Sequence, residues 1–409
     1  MHLVPVSIES IRIGQPLPFP LMDKDGILLA KKAFVVASRE DLIDFSQRGG
    51  GLFIDVADSE AHHRAFVGQL NSMVRDGRSL GEIAGAKISS KTSESREVDG
   101  PEYPDWLDLQ VQGNTLLRDS QSSHFMERLS RLHQQLVAHS TRNPDGTLFA
   151  LIHLSTTETR MYSATHAMLV SVMCGLAARE VLNWPAEVEA MVCKAALTMN
   201  VGMTELQDRL AMQSEPLSAA QRTAIDEHPS RSVERLMAMG VTDAIWLQAV
   251  AQHHTQTPGP LRTRAPAERL ARLIQRADMF AARLAPRAGR APVAPAAAMQ
   301  ACYFDENRQI DEAGAALIKA VGIYQPGSFV RLASEEIGVV VKRGINTATP
   351  RVAVLINRNG MPTVEPMVRD TSLRDYKVTA SVPHREVRVQ INLERLLPLT
   401  AVAKSDRPW

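Results

Sequence analysis

Cysteine is nearly missing from this chain: Cys174, Cys193 and Cys302 are the only three in 409 residues. They are too few and too scattered for a disulfide framework or a thiolate metal site, which suits a reducing cytoplasm. A charge excess of either sign is also missing. Lys and Arg number 46 against 45 Asp and Glu, so no global field directs the chain to nucleic acid or to an anionic membrane. No apolar run reaches the about 20 residues needed to cross a bilayer. The longest, around Ala167 to Ala178, reads as a buried core helix. The opening residues, Met1-His-Leu-Val-Pro5, lack the basic-then-apolar pattern of a signal peptide. No repeat of solenoid period is visible. The expectation is a soluble, cytoplasmic protein of roughly two or three domains, long enough for a real core.

Three textures follow one another. Residues 1–75 alternate short apolar runs with turn signals: Ile11-Arg-Ile13, Asp23-Lys-Asp-Gly26, then Ile27-Leu-Leu-Ala30. Ala37-Ser-Arg-Glu-Asp-Leu42 reads as a capped helix start, and Gly49-Gly-Gly51 precedes Leu52-Phe-Ile-Asp-Val56. That grammar predicts a small β-rich domain with one helix. Residues 76–118 are polar, with Ser89-Ser-Lys-Thr-Ser-Glu-Ser-Arg-Glu-Val-Asp-Gly100, and read as a flexible linker. Residues 119–332 are helical in texture. Phe125, Leu129, Leu132 and Leu136 share one face, a helix over about 165–182 is apolar all round, and Ser218 caps another. Residues 333–409 form a C-terminal β-rich segment. Strands are expected at 328–332, 337–341, 351–356 and 386–391, making a small antiparallel sheet or barrel. The fold class is therefore α+β, a helical bundle flanked by two β-rich pieces.

Five ligand-type residues punctuate the helical part: His166, His228, the adjacent His253 and His254, and Asp278. Their intervals are about one helix plus one loop, which places them on separate helices of a bundle, the usual way to build a metal site in one. Asn143-Pro-Asp-Gly-Thr-Leu-Phe-Ala-Leu151 opens the first core helix, and Val321-Gly-Ile-Tyr-Gln-Pro-Gly-Ser-Phe-Val-Arg-Leu332 leaves the helical part. In this order and setting, residues 143–332 resemble the HD-GYP family, metal-dependent phosphohydrolases that cleave cyclic di-GMP. The N-terminal piece is similar to the module preceding some HD-GYP domains.

The resemblance carries specific departures. Where the family has His-Asp-Ile-Gly-Lys, this chain reads Met199-Asn200-Val201-Gly202-Met203. After His253-His254 the family continues with an acidic residue and a Gly-Tyr-Pro signature, whereas Thr255-Gln-Thr-Pro-Gly-Pro260 stands here. In the family the aspartate bridges two metals roughly 3.5–4 Å apart. Asn200 is neutral, Met199 offers a soft thioether, and Met203 removes a phosphate partner. By analogy the first metal keeps only His166 and Asp278, while His228, His253 and His254 form a set for one ion of zinc, iron or manganese, or for none.

The resemblance thus implies a degenerate, non-catalytic regulatory or partner-binding module of cyclic di-GMP signalling. Its partner is cyclic di-GMP or a signalling protein, and a homodimer is compatible with it. The alternatives are an active cyclic di-GMP phosphodiesterase with an atypical site and a metal-free helical scaffold of the HDOD type. Structural readings stand beside the functional ones. Without the family context His166 reads more readily as a hydrogen-bonded core residue than as a ligand, and Asp278 reads as a partner of Arg272 or Arg276. Eight arginines lie between 262 and 290. Of these, Arg272, Arg276 and Arg287 are the phosphate-binding candidates, with a solvated helix face as the plainer reading.

Overall fold

The computed structural model describes residues 3–55 and 104–401, apart from 7, 9–10, 12, 18–19, 25–27, 32–33, 120–123, 158–160, 286–292, 294, 364, 388 and 390. The chain divides into two compact units, Met1–Glu102 and Tyr103–Trp409. In the first, four short antiparallel strands lie in the order β1 (Leu3–Pro5), β4 (Phe53–Asp55), β2 (Leu21–Met22), β3 (Leu28–Ala30). Helix α1 (Arg39–Gly49) starts where the sequence indicates. Ser38 Oγ accepts from Asp41 N, the Asp41 carboxylate accepts from Ser38 N, and Gly50 closes the helix at φ 62°. Leu21, Val36, Leu42 and Ile54 make its core.

The second unit is a helical bundle with one sheet. Its helices are α2 (Trp106–Arg118), α3 (Phe125–Arg142), α4 (Pro144–Thr157), α5 (Tyr162–Leu176), α6 (Ala186–Thr198), α7 (Thr204–Met212), α8 (Ala219–Ala238), α9 (Ala244–Gln252), α10 (Pro266–Leu284), α11 (Pro295–Tyr303) and α12 (Glu312–Val321). Every residue of α5 is buried, and the helix packs against α2, α4, α6 and α10. That is the fate of a helix with no polar face. The expected 165–182 helix therefore exists, continued past Leu176 by a π-turn at Ala177–Val181. Phe125, Leu129, Leu132 and Leu136 are buried together on α3, and Ser218 caps α8 in a capping box with Gln221. Among the described residues no helix is long and apolar enough to cross a membrane.

Five antiparallel strands follow in the order β8 (Val368–Asp370), β7 (Arg351–Ile356), β6 (Ile337–Lys342), β5 (Phe329–Leu332), β9 (Val378–Val382). The period of two assigns each residue to a face. Val339, Val341, Ala353 and Leu355 join the helical core, while Val340, Val352 and Val354 pack with Val330, Leu332 and Val378 on the other side.

Three boundaries differ from expectation. The stretch 106–118, expected in the linker, is helix α2 with Trp106, Leu109, Leu116 and Leu117 buried. Asp105 caps it, accepting from Leu107 N and Asp108 N. The polar run Ser89–Gly100 lies outside the described residues. The division at 332/333 falls between two paired strands, because β5 bonds to both β6 and β9, so sheet and helices share one unit. Lastly, the described part of 386–391 forms no strand; the fifth strand is Val378–Val382. The alternation of Val387, Val389 and Ile391 reflects packing of these residues against the helical core without ladder pairing.

Candidate metal centre

His228 and Pro229 both lie inside α8. Proline has no N–H, so the Ile225 carbonyl four residues back loses its helical donor. His228 Nδ1 takes that place at 2.5 Å from Ile225 O. His253 stands just past the last turn of α9, where helix carbonyls lack partners, and its Nδ1 lies 2.6 Å from Val250 O. Both contacts require a proton on Nδ1. Each Nε2 then carries a lone pair, and the two Nε2 atoms face each other at 3.1 Å, buried.

Two lone pairs at that distance repel unless a cation or a proton lies between them. A proton is disfavoured. Burial, then the neighbouring His254 and His228, lower the His253 pKa to about 3, and burial likewise lowers that of His228. His254 completes the group, its ring 5.0 Å from that of His228 and 4.1 Å from that of His253. One ligand nitrogen from each of the three lies within 4.8 Å of the others. An Nδ1–H held by a carbonyl with a free Nε2 is how metal-bound histidines are oriented. The donor set fits one divalent ion of the zinc, iron or manganese kind.

His166, expected on the first metal with Asp278, is brought directly to it: Nε2 lies 2.7 Å from Asp278 Oδ1. The Tyr162 ring stacks on His166 at 5.5 Å. Burial alone would raise the Asp278 pKa. The hydrogen bond and charge of His166, then His254 and His253, hold the group well below the usual carboxylate range. A charged Asp278 is therefore coupled to the trio, while its expected pairing with Arg272 or Arg276 does not form. The start of α5 is pinned by Asp208, whose Oδ1 accepts from Ser163 N at 2.8 Å and whose Oδ2 meets Arg118 Nη2 at 2.5 Å.

Met199 and Asn200 follow α6, both buried, and Met203 closes the short 3-10 turn Val201–Met203. Asn200 Oδ1 is a buried acceptor with no hydrogen-bond partner among the described residues. Gly202 lies so close to α8 that a Cβ there would come within 2.9 Å of His228 O and 2.7 Å of Ser232 N. Glycine at that position is needed for the turn to approach the histidine helix.

The phosphate-binding expectation for Arg272 and Arg276 meets a different arrangement. Both are buried and held by acids. Arg272 Nε is 2.8 Å from Asp311, its terminal nitrogens are 2.9 Å from Glu306, and Arg276 Nη2 lies 3.3 Å from both acids. Buried guanidinium groups need such partners, and this knot occupies them within the fold. Arg287 lies outside the described residues. Sequence reading missed Glu306 and Asp311, as well as Gln275, whose Oε1 accepts from Arg272 Nη1 at 2.7 Å. The i, i+3 spacing on α10 was the only signal available for the last.

No family model matches the chain. It is 25% identical over 262 residues to the cyclic di-GMP phosphodiesterase PA4108 of Pseudomonas aeruginosa, covering 62% of this chain and 62% of that protein. The chain thus spans less than two thirds of that relative's length. Among solved structures it is similar to Bd1817, an HDG"Y"P protein from Bdellovibrio bacteriovorus. The identity there is 14% and the TM-score 0.44, over 77% of this chain and 98% of that one. The likeness to a cyclic di-GMP phosphodiesterase is in keeping with the HD-GYP resemblance carried by the ordered histidines.

Proposed function

We propose that the protein is a degenerate HD-GYP module that holds one divalent metal ion on His228, His253 and His254 and acts in cyclic di-GMP signalling by binding rather than by hydrolysis. The observation that carries this reading is the facing pair of Nε2 atoms at 3.1 Å, each freed by an Nδ1 bond to a backbone carbonyl. When bound, the ion supplies a fixed positive charge with coordination positions left open for an anion or a partner side chain.

Hydrolysis on a two-metal site needs a shared anionic bridge and an activated hydroxide. Asn200 provides a neutral oxygen in place of that bridge. The two groups proposed for a first ion, His166 Nε2 and Asp278 Oδ1, are bonded to each other. A second ion close to the first would be under-compensated in charge. The ligand of the module is cyclic di-GMP or a signalling protein in the cytoplasm.

The surviving trihistidine set also favours a second reading, an atypical single-metal phosphodiesterase. A metal-free scaffold of the HDOD type has no use for three converging imidazoles. Elemental analysis of the purified protein separates these readings from the two-metal enzyme. The expected result is one zinc, iron or manganese ion per chain, lost in His253→Ala. Two tightly held ions, or an unchanged content in His253→Ala, would overturn the assignment of the site.

A further inference from the structure

We infer that Gln275 is a positioning residue for the trihistidine centre, acting on His254 through the backbone; this rests on the metal reading just given. His228 and His253 are each oriented by an Nδ1 contact to a carbonyl. His254 differs. It is exposed, and among the described residues no hydrogen bond holds its ring. Its place is therefore set by the backbone that follows α9. That backbone is tied down at Thr255, whose N–H donates to Gln252 O at 2.8 Å and whose carbonyl accepts from Gln275 Nε2 at 3.0 Å.

Gln275 is itself buried and fixed at its other end. Its Oε1 accepts from Arg272 Nη1 at 2.7 Å, and Arg272 is locked by Asp311 and Glu306. The amide thus runs in one direction, guanidinium to amide oxygen and amide N–H to carbonyl. A charged donor at the head of such a chain polarises the bond at its tail. The knot of arginines and acids that takes no part in the metal set fixes, through one side chain, the turn that presents the third ligand. Hydrogen bonds behind metal ligands commonly change affinity 10–100-fold.

Gln275→Glu keeps an acceptor for Arg272 and removes only the donor to Thr255. Gln275→Met keeps the length and removes both bonds, leaving Arg272 with its two acids. Zinc affinity is measured by competition with a chelator on the full chain, with His253→Ala as the blank and Leu117→Ala as a variant that weakens the core away from the turn. Both Gln275 variants are expected to bind zinc about tenfold more weakly than wild type, and the visible spectrum of the cobalt-loaded protein is expected to change. Leu117→Ala is expected to lower the melting temperature of the metal-free protein while leaving affinity and spectrum in place. Wild-type affinity and spectrum in both Gln275 variants would overturn the positioning role alone. So would an equal loss of affinity in Leu117→Ala. Failure of wild type to bind zinc above the His253→Ala blank would remove the metal reading itself, and this inference with it.

Discussion

His228 and Pro229 work as a unit, the proline stripping a helical donor from the Ile225 carbonyl and the imidazole replacing it. Pro229→Ala restores an N–H able to bond that carbonyl, so helix α8 gains stability while the His228 ring loses its anchor. We expect zinc affinity to fall by roughly tenfold with an unchanged or higher melting temperature of the metal-free protein. A tighter zinc complex would contradict the anchoring role. Protons act on the same residues. The pKa of His253 is lowered to about 3, chiefly by burial, and burial lowers those of His133 and His153 to about 4, against an ordinary value of 6.5. In the window from 6.5 down to these values the unfolded chain binds more protons, so stability is full above pH 6.5 and is lost as pH falls. Urea unfolding of the metal-free protein should show a loss between pH 7.5 and 5 of about 1–2 kcal/mol for each such histidine. A flat profile would mean that these rings are charged or exposed. At this scale the sequence is informative where a local rule applies. The His-Pro pair and the adjacent histidines are visible in it, but the His166–Asp278 bond joins residues 112 apart and appears only in three dimensions.

Helices and strands with a period in their sequence were legible, including the all-apolar α5, the capped α1 and α8, and β5 to β7. Helix α2 was hidden because polar residues interrupt Trp106-Leu-Asp-Leu-Gln-Val-Gln-Gly, and its apolar face has meaning only against α5. Strand β9 was hidden behind a better alternation nearby at Val387, Val389 and Ile391. Between elements, Arg343 acts as the fastener. Placed just after β6, it contacts Asp145 in the first turn of α4 at 2.7 Å, Glu180 in the π-turn at 2.9 Å and the Ala320 carbonyl of α12. Removing one partner of a buried pair leaves the other charge uncompensated. Arg343→Ala should therefore cost about 3–5 kcal/mol, read as a lower urea midpoint. Adding Asp145→Asn should recover part of that loss. No recovery in the double variant would show that packing rather than charge makes the joint.

For the whole molecule, the α+β architecture of one helical bundle and two antiparallel sheets follows from the sequence textures. The single compact unit formed by helices and C-terminal sheet does not, since it depends on which face of the sheet the core needs. The same scale decides function, because the histidines come from α8 and the end of α9, whereas Met199, Asn200 and Met203 sit at the turn after α6. Installing the residues of the HD-GYP motif with Met199→His, Asn200→Asp and Met203→Lys places a carboxylate where Asn200 is buried, which is costly without a counter-charge. The triple variant should melt lower than wild type when metal-free and be stabilised by manganese more than wild type is. If manganese adds no extra stabilisation, the turn after α6 does not face the same centre as the histidines.

The most direct test of the account is turnover of cyclic di-GMP by the full chain reconstituted separately with iron and with manganese, with His253→Ala as the control. With Asn200 in place of a bridging carboxylate, no linear or mononucleotide product is expected above that control. Product formed by wild type and abolished in His253→Ala would contradict it and make the trihistidine centre a catalytic one.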